Sequence, residues 1–392
     1  MKKWSESDVN RDYFPGVPPE VLECIIASRL LGQDPFLVLY GGGNISAKND
    51  ATVWVKASGH DMGTITPEGL APLEREQLHQ MLRKDAMSDS DMVAGYRSAL
   101  RDSSHGTPSI ETLLHNHLPA QYVLHTHADA IVTLTDTADG GDLVVQALGA
   151  GVRVLPYCFP GFALAKLIEA EIYNPRDLEG IVLTHHGLFT MDDDAAEAYR
   201  KHRVLVERAE AFIGKRTGVS FVDDPNESIT TESAELSHLR DRLVSTYGGE
   251  FHLVQRSSPA ISKFFAIPGF PEITQRGPTT LEHVIRTKRV PAFLEDLEAY
   301  GQRYGEYFAA LKVGHPEDLI MLDASPRVVL DVSLGIVGVG RSASEAAIAA
   351  DVYRHTVRVI TAAEALGGYS PVSPQQAFDI EYWELEQAKL RA

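Results

Sequence analysis

Two short strings hold the residues best suited to chemistry. His125-Thr126-His127 follows the β-type run Tyr122–His125. At the two-residue period of a strand both imidazoles point to one face, which is chelating geometry. Alone, such a string fits a solvated pair as well as a ligand pair. Two features add to it. Glu111 lies 14 residues before His125, on a helix expected to run into this strand. His185-His186-Gly187 ends the run Ile181–Thr184, with His186 59 residues beyond His127. Three neutral imidazoles and one carboxylate make a site for Zn²⁺ or a related divalent cation. Gly187 would allow a tight turn beside it.

The elements that must position these groups can be read from the surrounding pattern. Strands are expected at Phe36–Tyr40, Thr52–Lys56, Tyr122–His125 and Ile181–Thr184, and a long helix over Asp192–Phe212. Thr107-Pro108 reads as a helix start, because Thr can cap and Pro fits the first helical position. That helix would carry Ser109–Leu118, with His115 four residues after Glu111 and able to bond it. Gly41-Gly42-Gly43 with Asn44 could present backbone N–H groups to an anion. Ser58-Gly59, and Ser109 at a helix start, could add donors. The three glycines equally suit a crowded turn, and Lys56 is either a cation for that anion or a solvated one. Asp129 is either a polar neighbour of the site or a helix cap. His79, His105 and His202 show no partner, and Cys24 reads as core.

Gly42-Gly43-Asn44-Ile45-Ser46, Lys56-Ala57-Ser58-Gly59, Ser109-Ile110-Glu111, His125-Thr126-His127 and His186-Gly187 occur in this order. As an ordered set, over about residues 20–215, they resemble the class II aldolase/adducin family. The resemblance implies an α/β fold of three layers, with a mainly antiparallel central sheet flanked by helices. It implies His125, His127 and His186 as metal ligands, and Glu111 as both ligand and acid/base, with His185 outside the ligand set. It implies substrate phosphate at Gly43, Asn44, Ser58, Gly59 and Ser109, with Lys56 nearby. The implied cofactor is Zn²⁺ (or Mn²⁺, Fe²⁺ or Co²⁺). The implied reaction cleaves or forms a C–C bond of a ketose or ketose phosphate through an enediolate. Decarboxylation, epimerisation or dehydration of a sugar-derived keto acid or ketose phosphate would use the same site, and iron-dependent oxidation the same ligands. A non-catalytic, adducin-like binding protein is the alternative of another class. Two departures stand out: Ile110 replaces a second serine beside Ser109, and no tyrosine lies between His127 and Tyr157.

The polar segment Asp223–Ser228 suggests a boundary, giving a catalytic domain over 1–222 and a second over 223–392. Residues 329–352 can be laid on 181–204 at a constant offset of 148, with Leu334 at the place of His186. The second domain is therefore expected to be a degenerate, accessory aldolase-like unit. Gly338-Val339-Gly340-Arg341-Ser342-Ala343 offers a rival, dinucleotide-type reading without the expected acidic partner. From Gly277 to Trp383 the chain also resembles the middle of rhamnulose-phosphate aldolase/short-chain dehydrogenase fusions. Because the sequence stops where a dehydrogenase would begin, no redox activity is expected.

Length and composition agree with this outline. The 392 residues suggest about two domains. The formal charge of −18 argues against nucleic acid or an anionic membrane as partner, though not against a local anion pocket. Two cysteines point to a reducing compartment. Met1–Gly16 has no apolar core of a signal peptide, and no apolar run reaches membrane-spanning length. A cytoplasmic homo-oligomer acting on a small sugar-derived substrate is the expectation.

Overall fold

The computed structural model describes residues 14–315, 319–388 and 390. The stretch read for a signal peptide lies outside them as far as Tyr13. The polypeptide divides into two compact units, the first over 1–135 and 139–212, the second over 136–138 and 213–392. No helix among the described residues is long and apolar enough to cross a membrane.

The first unit holds a seven-stranded sheet. Its strands are β1 (Asn44–Lys48), β2 (Thr52–Lys56), β3 (Leu70–Glu74), β4 (Tyr122–Thr126), β5 (Val152–Leu155), β6 (Gly180–Leu183) and β7 (Gly187–Asp192). Their spatial order is β3-β2-β1-β4-β7-β6-β5, and only the β5–β6 pair is parallel. The fold is thus α/β with a mainly antiparallel sheet flanked by helices. β4 is central and nearly every side chain of β1, β4 and β7 is buried, the polar Asn44, Ser46, Lys48 and His125 included.

Local chemistry moved two elements from where the pattern suggested. The run Phe36–Tyr40 forms turns, not a strand: Asp34 Oδ1 accepts from the Phe36 amide and the Asp34 carbonyl from the Leu37 amide. Asp competes well for such local bonds. The helix expected from Pro108 begins at Thr112. Thr107–Ser109 extend along the end of β2 instead, with Ser58 N–H donating to the Thr107 carbonyl and Ser109 N–H to the Lys56 carbonyl. A proline has no amide to lose there, so it tolerates this edge position.

The second unit holds a five-stranded sheet of β8 (Ser228–Thr230), β9 (His252–Ser257), β10 (Ala292–Phe293), β11 (Val328–Asp331) and β12 (Gly335–Gly340). The order is β10-β11-β12-β9-β8, and only β10–β11 is parallel. This repeats the connectivity of β5-β6-β7-β4-β1. Shifting by 148 residues carries Gly180–Leu183 onto Val328–Asp331, Gly187–Asp192 onto Gly335–Gly340, and the helix Ala195–Thr217 onto Ala343–Ala365. Registers agree too: Phe189 faces His125, and its counterpart Val337 faces Gln255.

The glycines of the dinucleotide-like string have a packing role. A Cβ on Gly338 would lie 2.1 Å from the Ala346 carbonyl oxygen, and one on Gly340 would lie 2.5 Å from the Ala346 nitrogen. They let the helix Ala343–Ala365 press onto β12, which runs antiparallel to both neighbours. A dinucleotide fold needs parallel strands there.

Candidate metal centre

The central position of β4 puts His125 at the heart of the first sheet, opposite Asn44 of β1 and Phe189 of β7. Its ring is fully buried and stacks on Phe189, with centroids 3.8 Å apart and planes 8° from parallel. The Leu188 carbonyl lies 3.1 Å from its Nδ1. A carbonyl only accepts, so Nδ1 carries the proton and Nε2 offers a lone pair. Burial, then His127 and His186, hold its pKa well below that of free imidazole. The neutral, metal-ligating form is therefore the stable one.

His127 stands beyond the end of β4, and its Nε2 lies 2.9 Å from that of His125. His186 occupies the turn between β6 and β7, where its amide donates to the Leu183 carbonyl. The left-handed residue of that turn is His185, at φ +57°, rather than Gly187. Gly187 serves close approach: a Cβ there would lie 2.2 Å from the Thr126 carbonyl oxygen and 3.1 Å from both His125 and His127. One ligand atom from each of His125, His127 and His186 lies within 4.8 Å of the others. Three nitrogens around one Zn²⁺ stand about 3.3 Å apart in tetrahedral geometry, so the donor set fits a divalent cation in number, type and spacing.

Glu111 is the residue just before the helix Thr112–His117, and it is buried. Its Oε1 lies 3.5 Å from His186 Nε2 and its Oε2 3.7 Å from His125 Nε2. Asn44 Nδ2 donates to the same Oε2 at 2.5 Å and to Ser109 Oγ at 3.2 Å. The carboxylate is thus held against the imidazoles by a side chain of β1. His115 reaches it indirectly, by way of Asn44.

The remaining expected residues have contacts of their own. Lys56 is buried and donates to the Gly41 carbonyl at 3.2 Å, tying β2 to the glycine loop. Gly43, at φ +62°, also needs its missing Cβ, which would meet the His125 carbonyl oxygen at 2.7 Å. The pairing of Lys56 and Ser58 with Thr107 and Ser109 brings Ser109 beside this loop. Ser58 and Gly59 are exposed, Gly59 with φ +83°. Asn44 spends its carboxamide on Ser109, Glu111 and His115. Asp129 opens the helix Asp129–Thr135.

Three residues have a bearing on the site that their place in the sequence did not reveal. His202 is fully buried, with Nε2 2.7 Å from Thr126 Oγ1 and Nδ1 2.9 Å from Thr190 Oγ1. It bonds Thr126, the residue between His125 and His127, to β7. Burial pushes its pKa down to about 3, so it is neutral. Ser46 and Phe189 likewise gain their roles through strand pairing. Only the register could have pointed to them.

Residues 23–213 match the model of the class II aldolase and adducin N-terminal domain, and residues 230–390 that of the class II aldolase second domain. The N-terminal class II aldolase domain of a conserved protein from Thermoplasma acidophilum is 38% identical, over 51% of this chain and 96% of that one, with a TM-score of 0.47. The chain belongs to the class II aldolase/adducin family. An uncharacterized oxidoreductase of Bacillus subtilis (strain 168), YuxG, is 27% identical over 407 residues, covering 95% of this chain. The chain spans 58% of that relative's length. L-fuculose-1-phosphate aldolase from Thermus thermophilus is 19% identical over 50% of this chain and 96% of its own, with a TM-score of 0.35.

Proposed function

We propose that the first unit is a divalent-metal-dependent aldolase that cleaves or forms a C–C bond of a ketose or ketose phosphate. The observation that carries this is the convergence of His125, His127 and His186 within 4.8 Å, faced by the buried carboxylate of Glu111. His125, His127 and His186 would hold the cation, with Glu111 as a fourth ligand that substrate can displace. A divalent cation bound there supplies Lewis-acid stabilisation of the enediolate left by C–C cleavage. Glu111 would move the proton: in cleavage its carboxylate takes the carbinol O–H proton as the C–C bond breaks and the carbonyl forms, then gives it to the enediolate carbon, and condensation reverses both transfers. Asn44 holds its carboxylate in line for both. The glycine loop Gly41–Gly43, with Lys56, Ser58, Gly59 and Ser109, would bind the anionic end of the substrate.

Ile110, where a second serine would add a hydroxyl, favours a second reading. A less phosphorylated or keto-acid substrate would undergo decarboxylation, epimerisation or dehydration at the same centre. We read the second unit as an accessory copy, because Gln255, Ser257 and Leu334 stand where His125, His127 and His186 would be. A cytoplasmic homo-oligomer remains our expectation for the assembly.

Metal content after purification, with turnover of ketose 1-phosphates against unphosphorylated ketoses and keto acids, tests the proposal. Glu111→Gln should keep its metal and lose about 10²–10⁴ in kcat. Full activity in that variant, or a metal-loaded protein inert on every such substrate, would overturn the assignment.

A further inference from the structure

We propose that His115 is a positioning residue for Glu111, acting through Asn44 as the neutral imidazole that carries its proton on Nε2. The inference rests on reading Glu111 as the acid/base of the centre. It follows from assigning donors and acceptors along one buried series of side chains.

The series starts at the carboxylate. An ionised carboxylate only accepts hydrogen bonds. Asn44 lies 2.5 Å from Glu111 Oε2, so its amide must turn Nδ2 toward it. The opposite orientation would press a carbonyl oxygen against a carboxylate oxygen. Asn44 Oδ1 then faces His115 Nε2, with which it is in hydrogen-bond contact. An amide oxygen cannot donate, so the proton sits on Nε2. Nδ1 is left as an acceptor, and Ser46 Oγ, 2.8 Å away, donates to it. Each member has one role that satisfies its neighbours.

The elements build this series close to the metal centre. Asn44 and Ser46 are two residues apart on β1 and share a face. His115 projects from the helix Thr112–His117 and contacts both. Ser46 and His115 are fully buried, so no water competes for these bonds. Lys48 Nζ donates to the His115 backbone carbonyl and holds that end of the helix. Burial, helped by Lys48, pushes the His115 pKa down to about 3. A second proton, which would reverse the Ser46 bond, is therefore absent at neutral pH.

His115 thus fixes Asn44 in the orientation that Glu111 requires. Without the Nε2 donor, Asn44 Oδ1 loses its partner and the amide that holds the carboxylate is no longer anchored at its far side. The carboxylate would then turn from the reacting carbon, while Lys56 and Ser58, read as substrate-binding groups, keep their own bonds to the Gly41 and Thr107 carbonyls. The cost falls on kcat and spares KM.

Nitrogen-15 NMR of the metal-free full chain reads the tautomer directly, and steady-state kinetics of His115→Leu, His115→Gln and Ser46→Ala read its consequence. His115 should be the Nε2–H tautomer from about pH 5 to 8. His115→Leu should lose about 10–100-fold in kcat, the range typical of groups that orient a metal ligand. KM should stay within about twofold. His115→Gln, whose amide can donate to Asn44, should recover a large part of the loss. If His115→Leu does not fold, Ser46→Ala should still shift the Nδ1 resonance by removing its donor. An Nδ1–H tautomer, an imidazolium in that pH range, or a folded His115→Leu with unchanged kcat would overturn the proposal. Equal losses in the Leu and Gln variants would do so too. The tautomer is measured without substrate, so a failure to find aldolase turnover refutes the functional reading alone.

Discussion

At the scale of single residues, the centre is held together by groups that are too close for ordinary side chains. Gly187 is the sharpest case, since its Cβ position falls inside contact distance of Thr126, His125 and His127. Gly187→Ala must push the β6–β7 turn away from β4 and carry His186 with it. Overpacking of this kind costs about 1–3 kcal/mol. We expect a lower denaturation midpoint in metal-free protein and, separately, weaker metal binding by competition with a chelator. Unchanged metal affinity would show that His186 tolerates displacement. The three histidines and Glu111 that the fold brings together are legible in the sequence as parts of an ordered set of motifs. The reason for Gly187 was only half visible: a tight turn was legible, but the approach to Thr126 depends on strand pairing 61 positions apart.

At the scale of elements, β4 and β7 act as one support because His202 bridges Thr126 and Thr190. The sequence left His202 without a partner, as both partners come from strands that only folding brings together. Its neutrality has a pH signature. Its folded pKa, about 3, lies below the ordinary imidazole value of 6.5. Below about pH 6.5 the unfolded chain therefore binds a proton that the folded chain does not, and stability falls as pH drops toward 3. His115 adds a second contribution of the same sign. Each group contributes up to about 1.4 kcal/mol per pH unit in that window. His202→Gln should be less stable than the parent at about pH 8, with the gap narrowing as pH falls toward about 4. Urea denaturation at several pH values measures this, and a gap independent of pH would refute a buried neutral His202. The helix signal at Pro108 fails for a related reason: Thr-Pro is a good local start, yet long-range pairing with β2 outcompetes it.

At the scale of the whole molecule, the two sheets repeat one connectivity, but the ligand positions of the second read Gln255, Ser257 and Leu334. The turn glycine persists as Gly335, where a Cβ would lie 2.5 Å from the Arg256 carbonyl oxygen. We therefore expect one tightly held divalent ion per chain, by elemental analysis of the full-length protein, and none in His125→Ala. Two ions per chain would place a second centre elsewhere. The likeness of the halves was partly legible, because the offset of 148 survives in glycines and alanines. The matching strand order was not, since β8 and β10 are too short to stand out.

The exchange of His186 for Leu334 has a consequence for evolution and engineering. A cluster of desolvated imidazoles and a buried carboxylate weakens a core, and a catalytic centre must tolerate that weakness. Leu334 instead joins an apolar cluster with Val337, Val339 and Leu253. On the proposed reading of the second unit as an accessory copy, its residues escape the trade-off between activity and robustness. Random mutagenesis for heat resistance should then collect its neutral-to-activity, stabilising changes in this half, making it the natural reservoir of tolerance for the half with the proposed centre.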